Sequence, residues 1–112
     1  MTTFDDFKNC MRTEAHLDFE AIDVAFIQPL KDLDAWWQRQ SDDTKRYINV
    51  FSGGIGGGAL AAFIARVLQT TVGALSTAFG EALGAVIVGT SLGLAIAAMV
   101  TCGIRDVVPP NA

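Results

Sequence analysis

Charge is what the second half of this chain lacks. Of its 20 Asp, Glu, Lys and Arg residues, 18 lie within residues 1–46 or at positions 105 and 106. Between Tyr47 and Ile104 only Arg66 and Glu81 carry a charge. This asymmetry predicts a water-compatible N-terminal half and a C-terminal half whose side chains are largely withdrawn from water.

Residues that commonly perform chemistry are also scarce. The single histidine, His16, lies between Ala15 and Leu17 and is interpreted as an ordinary helix residue. No carboxylate pair occurs in an apolar setting, and no nucleophile stands at a useful spacing from a base. We therefore predict no enzymatic activity, no metal site and no cofactor. The net charge of −4 and the small basic cluster Lys45-Arg46 make nucleic acid an unexpected partner.

The chain has only two cysteines, Cys10 and Cys102, one in each half and without CxxC spacing. This arrangement predicts neither a zinc site nor a disulfide framework. The first residues, "MTTFDDF", have neither the basic start nor the apolar core of a signal peptide, so the N-terminal half is expected in the cytoplasm. In that reducing compartment both thiols are expected to be free.

Apolar residues at helical spacing predict a long amphipathic helix that begins after Thr3 and ends just before Pro29. Thr3 is the expected N-cap, because its hydroxyl can accept a backbone N–H of the first turn. The apolar face consists of Phe4, Phe7, Met11, Ala15, Phe19, Ile22 and Phe26.

A second, short helix is expected to present Leu30, Leu33, Trp36 and Trp37 on its apolar face. A third helix is expected to follow, with Ser41 or Asp42 as its N-cap. The tryptophan pair has three interpretations: core packing, an anchor at the membrane–water interface, or a contact site for a partner. Its position shortly before the apolar half suits the interfacial role, which indole rings favour.

The longest uncharged run covers the 23 residues from 82 to 104. As a helix it would be about 35 Å long, enough to cross a hydrocarbon core of about 30 Å. Residues 47–68 are nearly as apolar, and Arg66 is close enough to their end to reach the interface. We therefore predict two transmembrane spans, 47–68 and 82–104. Arg66 and Glu81 would then lie on one side of the membrane, near enough to form an ion pair.

These spans divide the chain into an amphipathic N-terminal region (1–46), a hydrophobic helical hairpin (47–106) and a short tail (107–112). Lys45, Arg46 and Arg105 flank the spans, so both termini are expected to face the cytoplasm. The predicted fold is all-α, with N-terminal amphipathic helices followed by a glycine-zipper transmembrane hairpin. A helical bundle that buries the apolar run without a membrane is the alternative.

Glycine is concentrated in "FSGGIGGGALAAF", residues 51–63, which has five glycines in six positions. A phosphate-binding loop would need a βαβ unit or a Lys-Ser/Thr pair after the glycines, and neither is evident. In lipid, small residues at intervals of four let helix backbones approach closely, either within one hairpin or also between copies. The residues predicted to form these contacts are Gly54, Gly58, Ala62, Gly80, Gly84, Ala85, Gly89, Gly93 and Ala97.

The segment "WWQRQSDDTKRYINVFSGGIGGGALAAF", residues 36–63, resembles the membrane-entering segment of phage tail tape-measure proteins. The shared order is an aromatic residue, a Ser/Asp-x-x-Lys helix start and a Gly/Ala-rich apolar helix. The proline that often follows in that family is missing, and 112 residues are too few for a tape measure. In overall layout the chain is similar to phage holins and other small two-span membrane proteins.

Together these features predict a small, self-associating membrane protein of the cytoplasmic membrane that permeabilises or remodels the bilayer, as a holin or a small pore-forming effector does. Its expected partners are the lipid bilayer and further copies of itself. Two alternatives stay open: a pilin-like structural subunit of a filament or envelope complex, and an accessory subunit of a larger membrane complex.

Overall fold

The computed structural model describes residues 2–53, 62, 64–66, 77–87 and 90–108. Within these residues the secondary structure is helical apart from one isolated β-bridge between Thr2 and Val107. The all-α prediction is thereby confirmed. The α-helices are α1 (Phe4–Ala15), α2 (Ile27–Gln38), α3 (Asp42–Gly53), α4 (Thr77–Val86) and α5 (Leu92–Thr101), with short 3-10 helices at Val24–Phe26 and Ile104–Asp106.

Helix α1 begins as the sequence predicts. The Thr3 hydroxyl accepts a hydrogen bond from the backbone N–H of Asp6 at 3.1 Å, which satisfies one of the amides that lack a partner within the helix. Phe4, Phe7 and Met11 are buried on its inner side. The capping residue and the apolar periodicity therefore fix both the start and the orientation of this helix.

The predicted continuation of α1 to Pro29 is wrong. The helix ends at Ala15, and His16 is its C-cap in the left-handed region with φ 56°. His16 is therefore not an ordinary helix residue. Phe19 and Ile22, from the loop that follows, are still fully buried. Their apolar spacing continued the helical pattern because loop residues that enter the same core also need apolar side chains.

Pro29 stands in the first turn of α2, which begins at Ile27, so it does not end a helix. Proline is tolerated there because the first-turn amides have no acceptor within the helix. The apolar face predicted for α2 is confirmed, since Leu30, Leu33 and Trp37 are buried.

Helix α3 starts at Asp42, which agrees with the first of the two expected N-caps, Ser41. The Ser41 hydroxyl accepts the N–H of Thr44 at 3.2 Å and so acts as the N-cap.

The prediction of one continuous helix over residues 82–104 is wrong. Helix α4 ends at Val86, and α5 begins at Leu92 after Ser91, whose hydroxyl accepts the N–H of Leu94 at 3.1 Å. Beyond α5, Gly103 adopts a left-handed φ of 82°. Serine and glycine are uncharged, so a search for charge-free runs overlooks these start and stop signals.

Within the described residues no helix combines the length and apolarity needed to cross a membrane. Most of the first predicted span, 47–68, lies outside those residues.

Helix α5 packs against α1, α2 and α3. Its inward side chains are buried, namely Leu92, Ala95, Ile96 and Met99. They belong to a single apolar core that also contains Phe7, Phe19 and Phe79. The three amphipathic N-terminal helices thus surround the inner side of the most apolar helix.

Candidate functional site: helix α5 and its attachments

Helix α5 is apolar on its outer side as well as its inner side. Leu94 is 67% exposed and Val100 is 38% exposed. Ala97 and Thr101 are exposed beside them, and none of the four carries a charge. A helix at a water-facing surface ordinarily has a polar outer face. We call these four residues the outer face of α5.

The carboxyl end of α5 is attached covalently to the N-terminal half, because Cys10 and Cys102 form a disulfide with their Cα atoms 5.7 Å apart. The prediction of two free thiols is therefore wrong. The cysteines are 92 positions apart, and only the packing of α5 against α1 brings them together. Sequence spacing carries no information on such a long-range pair.

A second attachment joins α2 to the residues after α5. The Nε–H of Arg105 donates to Oδ2 of Asp34 at 2.7 Å. Asp34 is only 1% exposed and is the one buried charged side chain among the residues described. Gln38 donates a further, longer hydrogen bond of 3.4 Å to its other oxygen.

The hydrogen bond with Asp34, reinforced by the negative charge of that carboxylate, raises the pKa of Arg105 above its usual value. The buried carboxylate is thereby satisfied by a partner that stays ionised at all ordinary pH values.

Two further contacts fix the same segment. Lys31 Nζ donates to the carbonyl oxygen of Val107 at 2.6 Å. The N–H of Val108 donates to the carbonyl oxygen of Thr2 at 3.1 Å, beside the bridge between Thr2 and Val107. We call residues 102–108, with these attachments, the carboxyl-terminal clasp. Sequence reasoning identified none of these contacts, because each joins residues that are far apart in the chain.

The amino end of α5 is held by a neutral contact. The N–H of Gly93 donates to Oδ1 of Asn49 at 2.8 Å. A Cβ atom at position 93 would lie 2.6 Å from that oxygen and 2.9 Å from Cζ2 of Trp37. Gly93, one of the predicted packing glycines, therefore allows α3 and α2 to approach the start of α5 closely.

Some of the other predicted packing residues are buried, and others are exposed to solvent. Gly80 and Gly84 are buried in α4, whereas Ala62, Ala85 and Ala97 are exposed. Gly54, Gly58 and Gly89 lie outside the described residues. Packing between two spans, or between copies, remains a prediction for this set.

The two tryptophans differ in how deeply they are buried. Trp37 is buried at 6% exposure, and Trp36 is partly buried against the same core, with the ring centroids 6.3 Å apart. Of the three interpretations of this pair, core packing is the one that describes Trp37 in this fold.

Arg66 and Glu81 are both exposed, and their pairing remains a prediction. In the part of the chain that is described, no cluster of three His, Cys, Asp or Glu side chains is arranged to hold a metal ion.

In a comparison with known proteins, no family model, no curated protein and no solved structure matches the chain.

Proposed function

We propose that the protein inserts into a lipid bilayer, associates with copies of itself and permeabilises or remodels the membrane. In this proposal the fold described above is a covered form, in which α1, α2 and α3 enclose the inner side of α5. Insertion moves the apolar part of the chain from this protein core into lipid.

The outer face of α5 is the observation that carries the proposal. Leu94, with 67% of its surface exposed, lies near the middle of the uncharged run. A lipid surface would offer the outer face as a whole, which carries no charge, a more favourable environment than water does. The same helix is buried on its opposite side, so every side of it suits a hydrocarbon surrounding.

The break between α4 and α5 is compatible with insertion. In the covered form Ser91 caps α5 by accepting the N–H of Leu94. In hydrocarbon, each unpaired backbone group costs several kcal/mol, which drives a chain to complete its helical hydrogen bonds. The run from residue 82 to 104 would then form one helix of about 35 Å, which matches the thickness of the hydrocarbon core.

Self-association is supported by the small residues that α5 presents to the outside. Ala97 and Thr101 stand one helical turn apart on the outer face, and both are exposed. In lipid, small residues at this spacing permit close contact between helices, and threonine can add an interhelical hydrogen bond. Copies of the inserted run therefore have a surface through which they can pack.

Release of a dye trapped in lipid vesicles tests the proposal. Vesicles of zwitterionic and anionic lipids are mixed with the oxidised protein, and dyes of increasing size report whether an opening of defined width forms. We expect release that rises more steeply than linearly with protein concentration, because several copies must meet. Vesicles that stay intact at high protein loading, with the protein left in the supernatant, would contradict membrane insertion.

Electron microscopy of the same samples separates this function from the structural alternative. Uniform filaments without dye release would instead assign the protein to a filament or envelope assembly, and permeabilisation would be abandoned.

A further inference from the structure

The disulfide between Cys10 and Cys102 joins α1 to α5 at a place where both helices contribute to the core. On α1, Phe7 stands one turn before Cys10 and Met11 directly after it, and both are fully buried. On α5, Met99 stands one turn before Cys102 and is also fully buried. The bridge therefore fixes α1 against the inner side of α5, beside the apolar residues with which α1 covers that helix.

A covalent bond at this place changes the balance between a covered and an uncovered α5. While the bridge is closed, α1 stays close to α5 even when their apolar side chains separate, so the cover reforms readily. Other contacts of the clasp, such as the hydrogen bond from the Val108 N–H to the Thr2 carbonyl oxygen, are non-covalent. A tether of this kind strengthens the association of two surfaces by about 10²–10⁴-fold without any new contact. Closure of the bridge therefore favours the covered form.

The bridge can be reached by a reductant. Cys102 is 8% exposed, whereas Cys10 is only partly buried where it packs against the core, so a dithiol can approach from the side of α1. One thiolate of the dithiol attacks a bridge sulfur and forms a mixed disulfide, while the other cysteine leaves as a thiolate and takes up a proton. The second thiol of the dithiol then displaces the remaining protein sulfur. The protein gains two electrons and two protons, and the dithiol becomes a disulfide.

From these observations we infer that the bridge is a redox lock on α5: when closed it holds α1 against the inner side of the helix, and its reduction by a dithiol releases α1 and promotes insertion. This inference rests on the proposed membrane insertion and adds the signal that starts it. Disulfides persist in oxidising compartments, whereas the cytosol keeps thiols reduced. The covered form therefore belongs to an oxidising compartment, and exposure to dithiols raises its tendency to enter lipid.

Dye release from vesicles, measured as a function of protein concentration, tests the lock. Wild-type protein is added either bridged or after reduction with dithiothreitol, and the state of the bridge is verified by mass. The bridged protein should release dye only at high loading. We expect reduction to lower the concentration needed for half-maximal release by about a hundredfold, the lower end of what such a tether contributes.

A bridge that a dithiol cannot open is the matched control. Diiodomethane joins the reduced sulfurs of Cys10 and Cys102 through one methylene group, and two iodide ions leave. In dithiothreitol this protein should still require the high concentration of the disulfide form, because its crosslink is intact. A methylene-bridged protein that behaves like reduced wild type would show that the reductant acts elsewhere, and the lock would be overturned.

The lock also requires that reduction frees α1 without unfolding the helices. In buffer without lipid, the reduced protein should keep its helical circular dichroism, while the amide hydrogens of α1 and α5 should exchange faster. Loss of the helical signal would overturn the lock, since reduction would then unfold the chain instead of releasing one helix. Unchanged hydrogen exchange would overturn it too, because α1 would still cover α5.

The release curves separate this inference from the proposed function. Equal release by bridged and reduced protein, or weaker release after reduction, overturns the lock and leaves membrane insertion intact. No release in either state at high protein loading overturns the proposed function and the lock together. Stronger release by reduced wild type but not by the methylene-bridged protein, with the helices retained, supports both.

Discussion

The side-chain oxygen of Asn49 accepts the backbone N–H of Gly93 across 2.8 Å, and this contact joins α3 to the start of α5. Gly93 is the second residue of α5, so its amide has no acceptor within the helix. Asn49 satisfies that amide, and the ring of Trp37 from α2 lies against the same residue. Glycine is therefore required at position 93, because α2, α3 and α5 approach one another closely there.

We expect Gly93→Ala to destabilise the fold by about 1–3 kcal/mol, as overpacking in a core does. Helix propensity alone would predict the opposite sign, a gain of about 1 kcal/mol. Urea unfolding followed by circular dichroism decides between the two signs.

Leu94→Ala is the matched control for that measurement. Leu94 is the neighbouring residue on α5 but is 67% exposed, so its truncation should change stability by only about 0.5 kcal/mol. A Gly93→Ala protein that is as stable as the wild type would show that Asn49 and Trp37 can move aside.

Reduction of the bridge between Cys10 and Cys102 should lower the free energy of unfolding substantially. For a bridge between cysteines 92 positions apart, the chain-entropy model gives about 4–5 kcal/mol, because the unfolded chain regains the freedom that the closed loop removed. Parallel urea curves of oxidised protein and of protein reduced with a phosphine measure the difference. The double variant with Cys10→Ser and Cys102→Ser, which a phosphine cannot alter, controls for direct effects of the reagent.

The ion pair of Arg105 and Asp34 is asymmetric in burial, since the side chains are 59% and 2% exposed. Arg105→Met leaves a buried carboxylate without a cation, whereas Asp34→Asn leaves an exposed cation that water can solvate. We therefore expect Arg105→Met to lower the thermal midpoint more than Asp34→Asn does. Arg105→Lys, which keeps the charge, should lie between wild type and Arg105→Met. An equal loss for Arg105→Met and Asp34→Asn would mean that the carboxylate finds another partner.

The pH dependence of this contribution has a definite sign. Asp34 raises the pKa of Arg105 in the folded state, so the stabilisation is fully present below the ordinary pKa of arginine. It is lost only as the pH rises through the folded-state value in strong alkali. Between neutral pH and moderately alkaline pH, wild type and Arg105→Met should therefore differ in stability by a constant amount, which thermal melts at several pH values will check.

Leu94→Lys separates the fold from membrane insertion. Because Leu94 is 67% exposed, the change should alter stability by only about 0.5 kcal/mol. A lysine near the middle of a span costs about 2.5–3.5 kcal/mol, which corresponds to insertion reduced about a hundredfold. Dye release should fall accordingly. Thr13→Lys, on the exposed side of α1, adds the same charge outside the run and should leave release unchanged.

Equal release by the Leu94→Lys protein would show that the outer face of α5 does not enter lipid. The proposed function would then lose the observation that carries it.

The starts of the helices are set by sequence signals that lie within a few residues of each start. The sequence predicts the cap at Thr3, a cap at Ser41 or Asp42, and the apolar face of α2, because capping and amphipathic spacing act over three or four residues. The end of α1 was missed, since Phe19 continues the apolar pattern from a loop. The division of residues 82–104 was missed because Ser91 is a polar signal inside an apolar run. In both places the apolar pattern reports burial and not the length of a helix.

By itself the sequence determined that this chain is helical, that its charge lies almost wholly in the first half, and where several helices begin. These properties follow from local preferences and from the free energy of hydrating each side chain. Tertiary structure alone decided that Cys10 meets Cys102, that Asp34 is buried against Arg105, and that Asn49 satisfies Gly93. Each of these contacts joins residues that are 44 or more positions apart, so it exists only after the helices have packed.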